Sequence, residues 1–259
     1  ANGFTTPTWN GLTAVNVGDE PIPEIAIEQP FGTSLTDGVT SRDFGSVTLG
    51  DENTITFTIQ NPGTGELTGI AATLTGPHAA DYQISAAPGV SVPVFNATTF
   101  QVTFAPTATG TRTAEILVAS DDTDENPFNI PISGIGTAVP VPEIEVRQPA
   151  DSKLVDGTSK RSFGSAVAGK KGAAKSFTIR NTGSASLTGI SVKSSGKNSG
   201  DFLIETKPGK SLPPGGKTTF KVRFKPSAKG PRNGVIQIKS NDSDENPFDI
   251  KVAGEGTRK

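Results

Sequence analysis

An acidic nonapeptide occurs twice in this chain, as SDDTDENPF at residues 120–128 and as SNDSDENPF at residues 240–248. The two copies begin 120 positions apart (240 − 120), and other segments recur at an offset of 119 or 120. A recurrence over this length predicts a duplicated domain, because single domains commonly hold about 100–150 residues. The chain of 259 residues is therefore expected to contain two copies of one fold.

Other segments recur in the same order in both halves. They are PEI at positions 23 and 142, FGS at 44 and 163, FTI at 57 and 177, LTGI at 67 and 187, and G-x-G-T at 134 and 254.

This order predicts one unit at residues 23–137 and a second at 143–259, each following a short proline-containing segment. The sequence AVPVP at 138–142 predicts a linker that its alternating prolines hold extended, so that the units are restricted to an end-to-end orientation. Residues 1–22 form an N-terminal extension.

Within a unit, apolar residues alternate with polar ones. In TTFKVRFKP, the apolar Phe220, Val222 and Phe224 alternate with three cations, which is the period of a half-buried strand. About seven such runs per unit lie between turn signals such as NPGTGE and PPGG, and no window has a sustained helical period. The pattern predicts an all-β fold made of two tandem immunoglobulin-like antiparallel β-sandwiches.

The ordered motifs FTIQNPGTGELTGI, TTFQVTFAPTATGTR and EILVASDDTDENPFNIPISGIGT resemble the immunoglobulin-like repeats of bacterial choice-of-anchor D proteins. These repeats are related to Hydin-type domains and to the major sperm protein and PapD-like sandwiches. The resemblance covers residues 23–137 and 142–257. It implies an exported protein at the cell surface, which we expect to reach its location through a cleaved signal peptide.

The two halves carry opposite charge. Residues 1–139 hold only Arg42 and Arg112 against 15 Asp and Glu, so their net charge is −13 (2 − 15). Residues 140–259 hold 22 cations (24 − 2) and 11 anions (26 − 15), so their net charge is +11 (22 − 11). Lys221, Arg223 and Lys225 stand where the first unit has neutral residues, and we expect these outward charges to act outside the domain; the alternative is that the asymmetry only keeps the protein soluble.

The nonapeptide lies between two strand patterns, at 115–119 and 128–132, which predicts a hairpin connection. Asp and Asn are favoured in such turns because their side chains bond nearby backbone amides. A second interpretation is calcium binding, because alternate residues could supply oxygen ligands. Against it, proline stands where a calcium loop has its glycine, and the closing glutamate is missing. The residues concerned are Asp122, Asp124, Asn126, Asp242, Asp244 and Asn246.

The sequence predicts a protein without catalytic residues, cofactor or metal. It contains no cysteine and one histidine, His78, in the turn-like GPHAAD; we align it with Lys197 of the second unit, which argues against a shared catalytic role. The basic half could suggest nucleic-acid binding, but its outward positions carry no aromatic residue for base stacking, so we expect no nucleic-acid partner. No apolar run approaches the length of about 20 residues that a membrane span requires.

The expected partners are other copies of this chain. Residues 12–17, LTAVNV, have strand-forming composition, and we expect the N-terminal extension to add a strand to another subunit. Contacts between the acidic and the basic unit would add head-to-tail association. The predicted function is a non-enzymatic subunit or spacer of a bacterial surface fibre, stalk or matrix. The alternative is a secreted accessory module that binds a glycan or a protein.

Overall fold

The computed structural model describes residues 20–258. The chain divides into two compact units between Val139 and Pro140, inside the predicted linker. The N-terminal segment that we expect to form a donated strand, residues 12–17, lies outside the described residues.

The first unit is a sandwich of two four-stranded sheets. One sheet has the strand order β1-β3-β8-β6 and the other β2-β10-β9-β5, while β4 and β7 form a small separate pair. A 3₁₀ turn at Ala79–Asp81 precedes β6. The strands are β1 Ala26–Glu28, β2 Arg42–Thr48, β3 Asn53–Gln60, β4 Leu67–Thr68, β5 Ala71–Thr75, β6 Tyr82–Ala86, β7 Ser91–Val92, β8 Ala97–Phe104, β9 Gly110–Ala119 and β10 Phe128–Thr137.

The second unit repeats this arrangement. Its sheets have the orders β11-β13-β16-β15 and β12-β18-β17-β14, and a 3₁₀ turn at Ser199–Asp201 precedes β15. The strands are β11 Ile144–Arg147, β12 Lys160–Val167, β13 Ala174–Asn181, β14 Ser191–Ser195, β15 Phe202–Thr206, β16 Lys217–Phe224, β17 Gly230–Lys239 and β18 Phe248–Thr257.

The prediction of an all-β protein with two tandem immunoglobulin-like sandwiches is confirmed. The structure adds one detail, because each unit contains one parallel strand pair among its antiparallel ones. β10 runs parallel to β2, and β18 runs parallel to β12. Alternation of apolar residues marks a strand and its buried face, but it carries no information about the direction of the neighbouring strand.

Each unit has its own core between its two sheets. Phe57 stacks on Phe100 in the first unit with ring centroids 5.0 Å apart, and Phe177 stacks on Phe220 in the second at the same distance. All four rings are fully buried, and burying one such side chain contributes about 1.5–3 kcal/mol. The cores share the same positions, which is why the two sequences give one fold.

The repeated G-x-G-T motif is explained by close packing inside the last strand. Gly134 and Gly136 face the core on β10, and a methyl group at Gly134 would lie 2.5 Å from the ring of Phe104. A methyl group at Gly256, the second-unit counterpart of Gly136, would lie 1.9 Å from the carbonyl oxygen of Ala228. Only glycine lets the last strand approach these groups.

We expect Gly256→Ala to destabilise the second unit by about 1–3 kcal/mol, because the backbone must shift to admit the methyl group. Gly200→Ala is the matched control, since a methyl group there meets nothing within 4 Å. Urea unfolding measured for both variants tests the prediction. Unfolding of Gly256→Ala at the wild-type midpoint would contradict it.

The described part of the chain holds no helix with the length and apolar composition needed to cross a membrane.

Candidate functional site

The acidic nonapeptide forms the hairpin between β9 and β10, and its counterpart joins β17 to β18, as predicted. Asp122 is only 1% exposed. Its Oδ2 accepts a hydrogen bond from the backbone N–H of Ile25 at 2.8 Å, and its Oδ1 accepts one from the N–H of Asp124 at 3.3 Å. The carboxylate therefore ties the hairpin to the chain that enters β1, 97 residues earlier.

The second unit repeats these contacts. Asp242 accepts from the N–H of Ile144 at 2.7 Å and from the N–H of Asp244 at 3.3 Å. Both units therefore place a buried aspartate at the equivalent position, where it accepts hydrogen bonds from two equivalent backbone N–H groups.

The structure brings two of the three predicted calcium-loop residues of each unit together, Asp122 with Asp124 and Asp242 with Asp244, in a group of carboxylates that could hold a metal ion. The side-chain oxygen of Asn126 accepts from the N–H of Ser120 at 3.3 Å, and that of Asn246 accepts from Ser240 at the same distance. Each asparagine therefore closes its own hairpin. The geometry agrees with the turn interpretation, in which these side chains bond nearby backbone amides.

A glutamate from the start of each unit joins the aspartates instead. Carboxylate oxygens of Glu24, Asp122 and Asp124 lie within 4.8 Å of one another. Glu143, Asp242 and Asp244 do the same in the second unit. The recurring PEI motif contains both glutamates, but the sequence pattern does not indicate that they meet the aspartates.

Burial and mutual repulsion raise the pKa of glutamates in the first unit's cluster. Burial raises the pKa of Glu24 above its ordinary value, and the charges of Asp122 and Asp124 raise it further. Burial also raises the pKa of Glu125, with added repulsion from Glu24, Asp122, Asp124 and Asp37. We name these five residues, Glu24, Asp37, Asp122, Asp124 and Glu125, the acidic end.

The corresponding cluster of the second unit is partly neutralised. Burial raises the pKa of Glu143 and of Glu245, and neighbouring aspartates raise both further. The positive charge of Lys153 opposes this effect and lowers the pKa of both glutamates. The first unit has Ser34 at the position of Lys153, so its acidic end lacks this compensation.

A buried ion pair in each unit was missed by the sequence analysis. Asp81 is 2% exposed and forms an ion pair with Arg112, and its Oδ1 accepts from the N–H of Thr107 at 3.0 Å. Burial alone would raise the pKa of Asp81, but the hydrogen bonds from Thr107 and Arg112 outweigh it and lower that pKa. Asp201 and Arg232 pair in the same way at 2.5 Å.

The alignment of His78 with Lys197 is wrong by one residue. Nδ1 of His78 accepts a hydrogen bond from the N–H of Thr113 at 3.0 Å. In the second unit, Oδ1 of Asn198 accepts from the N–H of Asn233, also at 3.0 Å. Asn198 is therefore the counterpart of His78, because the inserted residue shifts the offset to 120 before this loop. Both side chains hold a backbone amide, which is a structural role.

One group of outward cations of the second unit lies on the sheet that contains β16. Phe220, Val222 and Phe224 are buried, while Lys221 and Arg223 on the same strand point outward, as predicted. Arg147 on β11, Arg180 on β13 and Lys217 on β16 share this outer face by register. We name Arg147, Arg180, Lys217, Lys221 and Arg223 the basic face. The matching positions of the first unit are Glu28, Gln60, Ala97, Gln101 and Thr103.

Residues 158–246, which lie in the second unit, match the family model described as ASH: Abnormal spindle-like microcephaly-assoc'd, ASPM-SPD-2-Hydin. The predicted resemblance to Hydin-type sandwich domains is confirmed by this match. No curated protein sequence matches the chain significantly.

Three solved structures are similar to this chain. A protein of unknown function from Porphyromonas gingivalis W83 is 17% identical, with a TM-score of 0.35, over 84% of this chain and 97% of that one. The PapD-like domain 7 of human CEP192 is 14% identical, with a TM-score of 0.31, over 45% and 86%. The CupB6 tip adhesin from Pseudomonas aeruginosa is 10% identical, with a TM-score of 0.34, over 93% and 100%.

We expect Asp242→Ala to destabilise the second unit by about 1–3 kcal/mol, because the N–H of Ile144 is left buried without an acceptor. Asp244→Ala is the control: it removes an exposed carboxylate of the same cluster and should be neutral or slightly stabilising. Denaturant unfolding of both variants measures the difference. Equal effects of the two substitutions would show that the hydrogen bond to Ile144 contributes nothing.

A pH dependence follows from the acidic end. Because the folded-state pKa values of Glu24 and Glu125 are raised above the ordinary 4.5, the folded unit binds more protons than the unfolded one just above that pH. Stability from these groups is full below pH 4.5 and falls as pH rises through their folded-state pKa values.

We therefore expect Glu24→Gln/Glu125→Gln to remove this fall and to stabilise the first unit at pH 7 by less than about 1 kcal/mol. Glu52→Gln/Glu66→Gln, at two exposed positions outside the cluster, is the control. Urea midpoints between pH 4.5 and neutrality test the prediction. The prediction is contradicted if the urea midpoints of the wild type and of the double variant change with pH in the same way over this interval.

Proposed function

We propose that this chain is a non-enzymatic structural protein, a subunit or spacer of a bacterial extracellular fibre, stalk or matrix that associates head to tail with its own copies. The observation that carries the proposal is the contrast between the two units. They share a core and a strand order, yet their net charges are −13 (2 − 15) and +11 (22 − 11).

The positions of these charges support a role outside the domain. The basic face occupies outward positions of β11, β13 and β16, and the matching positions of the first unit hold four uncharged residues and Glu28. Since both sets lie outside the core, packing of the sandwich does not require the cations. Surface charge of this kind acts through long-range attraction, orientation and solubility.

A polarity follows from placing opposite charges on different units. The first unit of one copy can meet the second unit of the next, and such a heterologous contact continues into a filament unless its rotation closes a ring. The N-terminal extension, residues 1–22, is proposed to strengthen the assembly by adding a strand to a neighbouring subunit. An extracellular location, reached through a cleaved signal peptide, belongs to the same proposal.

A binding accessory is the second candidate, favoured by two exposed aromatic residues of the first unit. Phe95 is 81% exposed and adopts a positive φ of 61°, where the second unit has Gly215 with a φ of 73°. Phe31 is 78% exposed, where the second unit has Ala150. A non-glycine residue in the left-handed region costs about 1–2 kcal/mol, so Phe95 reduces stability and presents an apolar ring to a ligand.

We expect the purified full chain to self-associate at low ionic strength and to dissociate progressively toward 1 M salt, where the Debye length is about 3 Å. Sedimentation velocity at both salt concentrations measures this, and electron microscopy shows whether the associated species are filaments. A chain that stays monomeric at low salt, with residues 1–22 intact, contradicts the structural proposal and leaves the accessory as the better candidate.

A further inference from the structure

The basic face of the second unit borders a cleft of about 470 Å³. Its cations are Arg147, Arg180 and Lys217, and hydroxyl groups come from Thr178, Thr218 and Thr219. Arg180 and Lys217 are direct partners in the register of β13 with β16. Like charges directly opposite on neighbouring strands are destabilising, and Glu145, the partner of Arg180 on β11, offsets this repulsion from one side.

Two glutamates of the second unit neutralise part of this face, and Glu145 also stands directly opposite Arg180 in the register of β11 with β13. Glu145 accepts from Nε of Arg147 at 2.6 Å, and Glu205 accepts from Nε of Arg223 at the same distance. Within residues 20–258, Arg180, Lys217 and Lys221 have no ion pair. Asp151 is the one anion that lines the cleft itself.

The fold does not demand this accumulation of charge. In the first unit, Gln60 pairs with Ala97 at the position where Arg180 pairs with Lys217. The neutral pair serves the same strands in the same register. The like-charged pair is therefore not needed to hold these two strands together.

The acidic end of the first unit has the complementary property. Its carboxylates repel one another, which helps to raise the pKa of Glu24 and of Glu125. Asp124 is exposed and Glu125 is half-buried, so both can reach a partner. Each of the two surfaces would gain from contact with the other.

We propose that the acidic end of one copy docks on the basic face of the second unit of another copy, with Asp124 and Glu125 entering the cleft beside Arg180 and Lys217. The proposal rests on the proposed self-association and names the two surfaces that produce it. Guanidinium and ammonium groups bind carboxylates through charge-assisted hydrogen bonds, and the threonine hydroxyls supply further donors. Contact would offset the repulsion among the carboxylates of the acidic end and the repulsion between Arg180 and Lys217, which favours association.

The first test neutralises the pair in the full chain. We expect Arg180→Gln/Lys217→Gln to weaken self-association at least about tenfold, because close charge pairs across an interface couple strongly. Lys193→Gln/Lys239→Gln is the matched control, with the same change of net charge at exposed positions on the other sheet of the same unit. Sedimentation equilibrium measures both, and circular dichroism verifies that each variant is folded.

The second test reverses the charges. Arg180→Glu/Lys217→Glu and Asp124→Lys/Glu125→Lys should each abolish association, whereas a chain that carries all four reversals should regain it. If the fourfold variant associates again, loss of association in the double variants cannot be explained by misfolding of either unit. Loss in both double variants without recovery overturns the proposed contact.

Two outcomes separate the failures. If the wild type associates but Arg180→Gln/Lys217→Gln behaves like its control, the docking surfaces are wrong and the proposed function stands. If the wild type is monomeric at low salt, both fail. In that case, retention on immobilised heparin that Arg180→Gln/Lys217→Gln loses would assign the basic face to a sulfated polysaccharide instead of a second copy.

Discussion

Each sandwich depends on one buried aspartate that bonds two distant parts of the chain. Asp122 holds the N–H of Ile25 and the N–H of Asp124, and Asp242 repeats both bonds. β1 is only three residues long, so its own ladder to β3 fixes its entry weakly. The carboxylate ties the entry of this short strand to the last hairpin, and so links the two sheets at this end of the sandwich.

Because the two units share one fold, residues that are the same in both indicate what the fold requires, and residues that differ indicate what it tolerates. Both units retain the buried aspartate, the ion pair of Asp81 with Arg112 or of Asp201 with Arg232, and the stacked phenylalanines. They differ on the outer face of one sheet, where Gln60 and Ala97 stand opposite each other in place of Arg180 and Lys217. Packing of the core constrains the shared set, whereas the residues on this outer face lie outside the core.

Strands and hairpins could be predicted from the sequence because both depend on local patterns. The alternation in β16 identified the buried and outward residues, and the nonapeptide was recognised as a hairpin by its Asp and Asn content. Meetings between distant side chains could not be predicted. Asp81 and Arg112 are 31 positions apart, and Glu24 and Asp122 belong to the chain entering β1 and to the β9–β10 hairpin, whose strands lie in different sheets. The alignment of His78 with Lys197 uses the offset of 119, although the FTI and LTGI repeats already have an offset of 120 before this loop.

The place of β10 within its sheet has a mechanical consequence. This strand of 10 residues is bonded to β9 on one side and to β2 on the other, and its end at Thr137 is paired with Thr48. The chain leaves the unit from that end. Tension directed along β10 would load the hydrogen bonds of two ladders together, rather than peeling them apart one after another. A central exit strand therefore gives the first unit resistance to stretching that an exit from a sheet edge would lack.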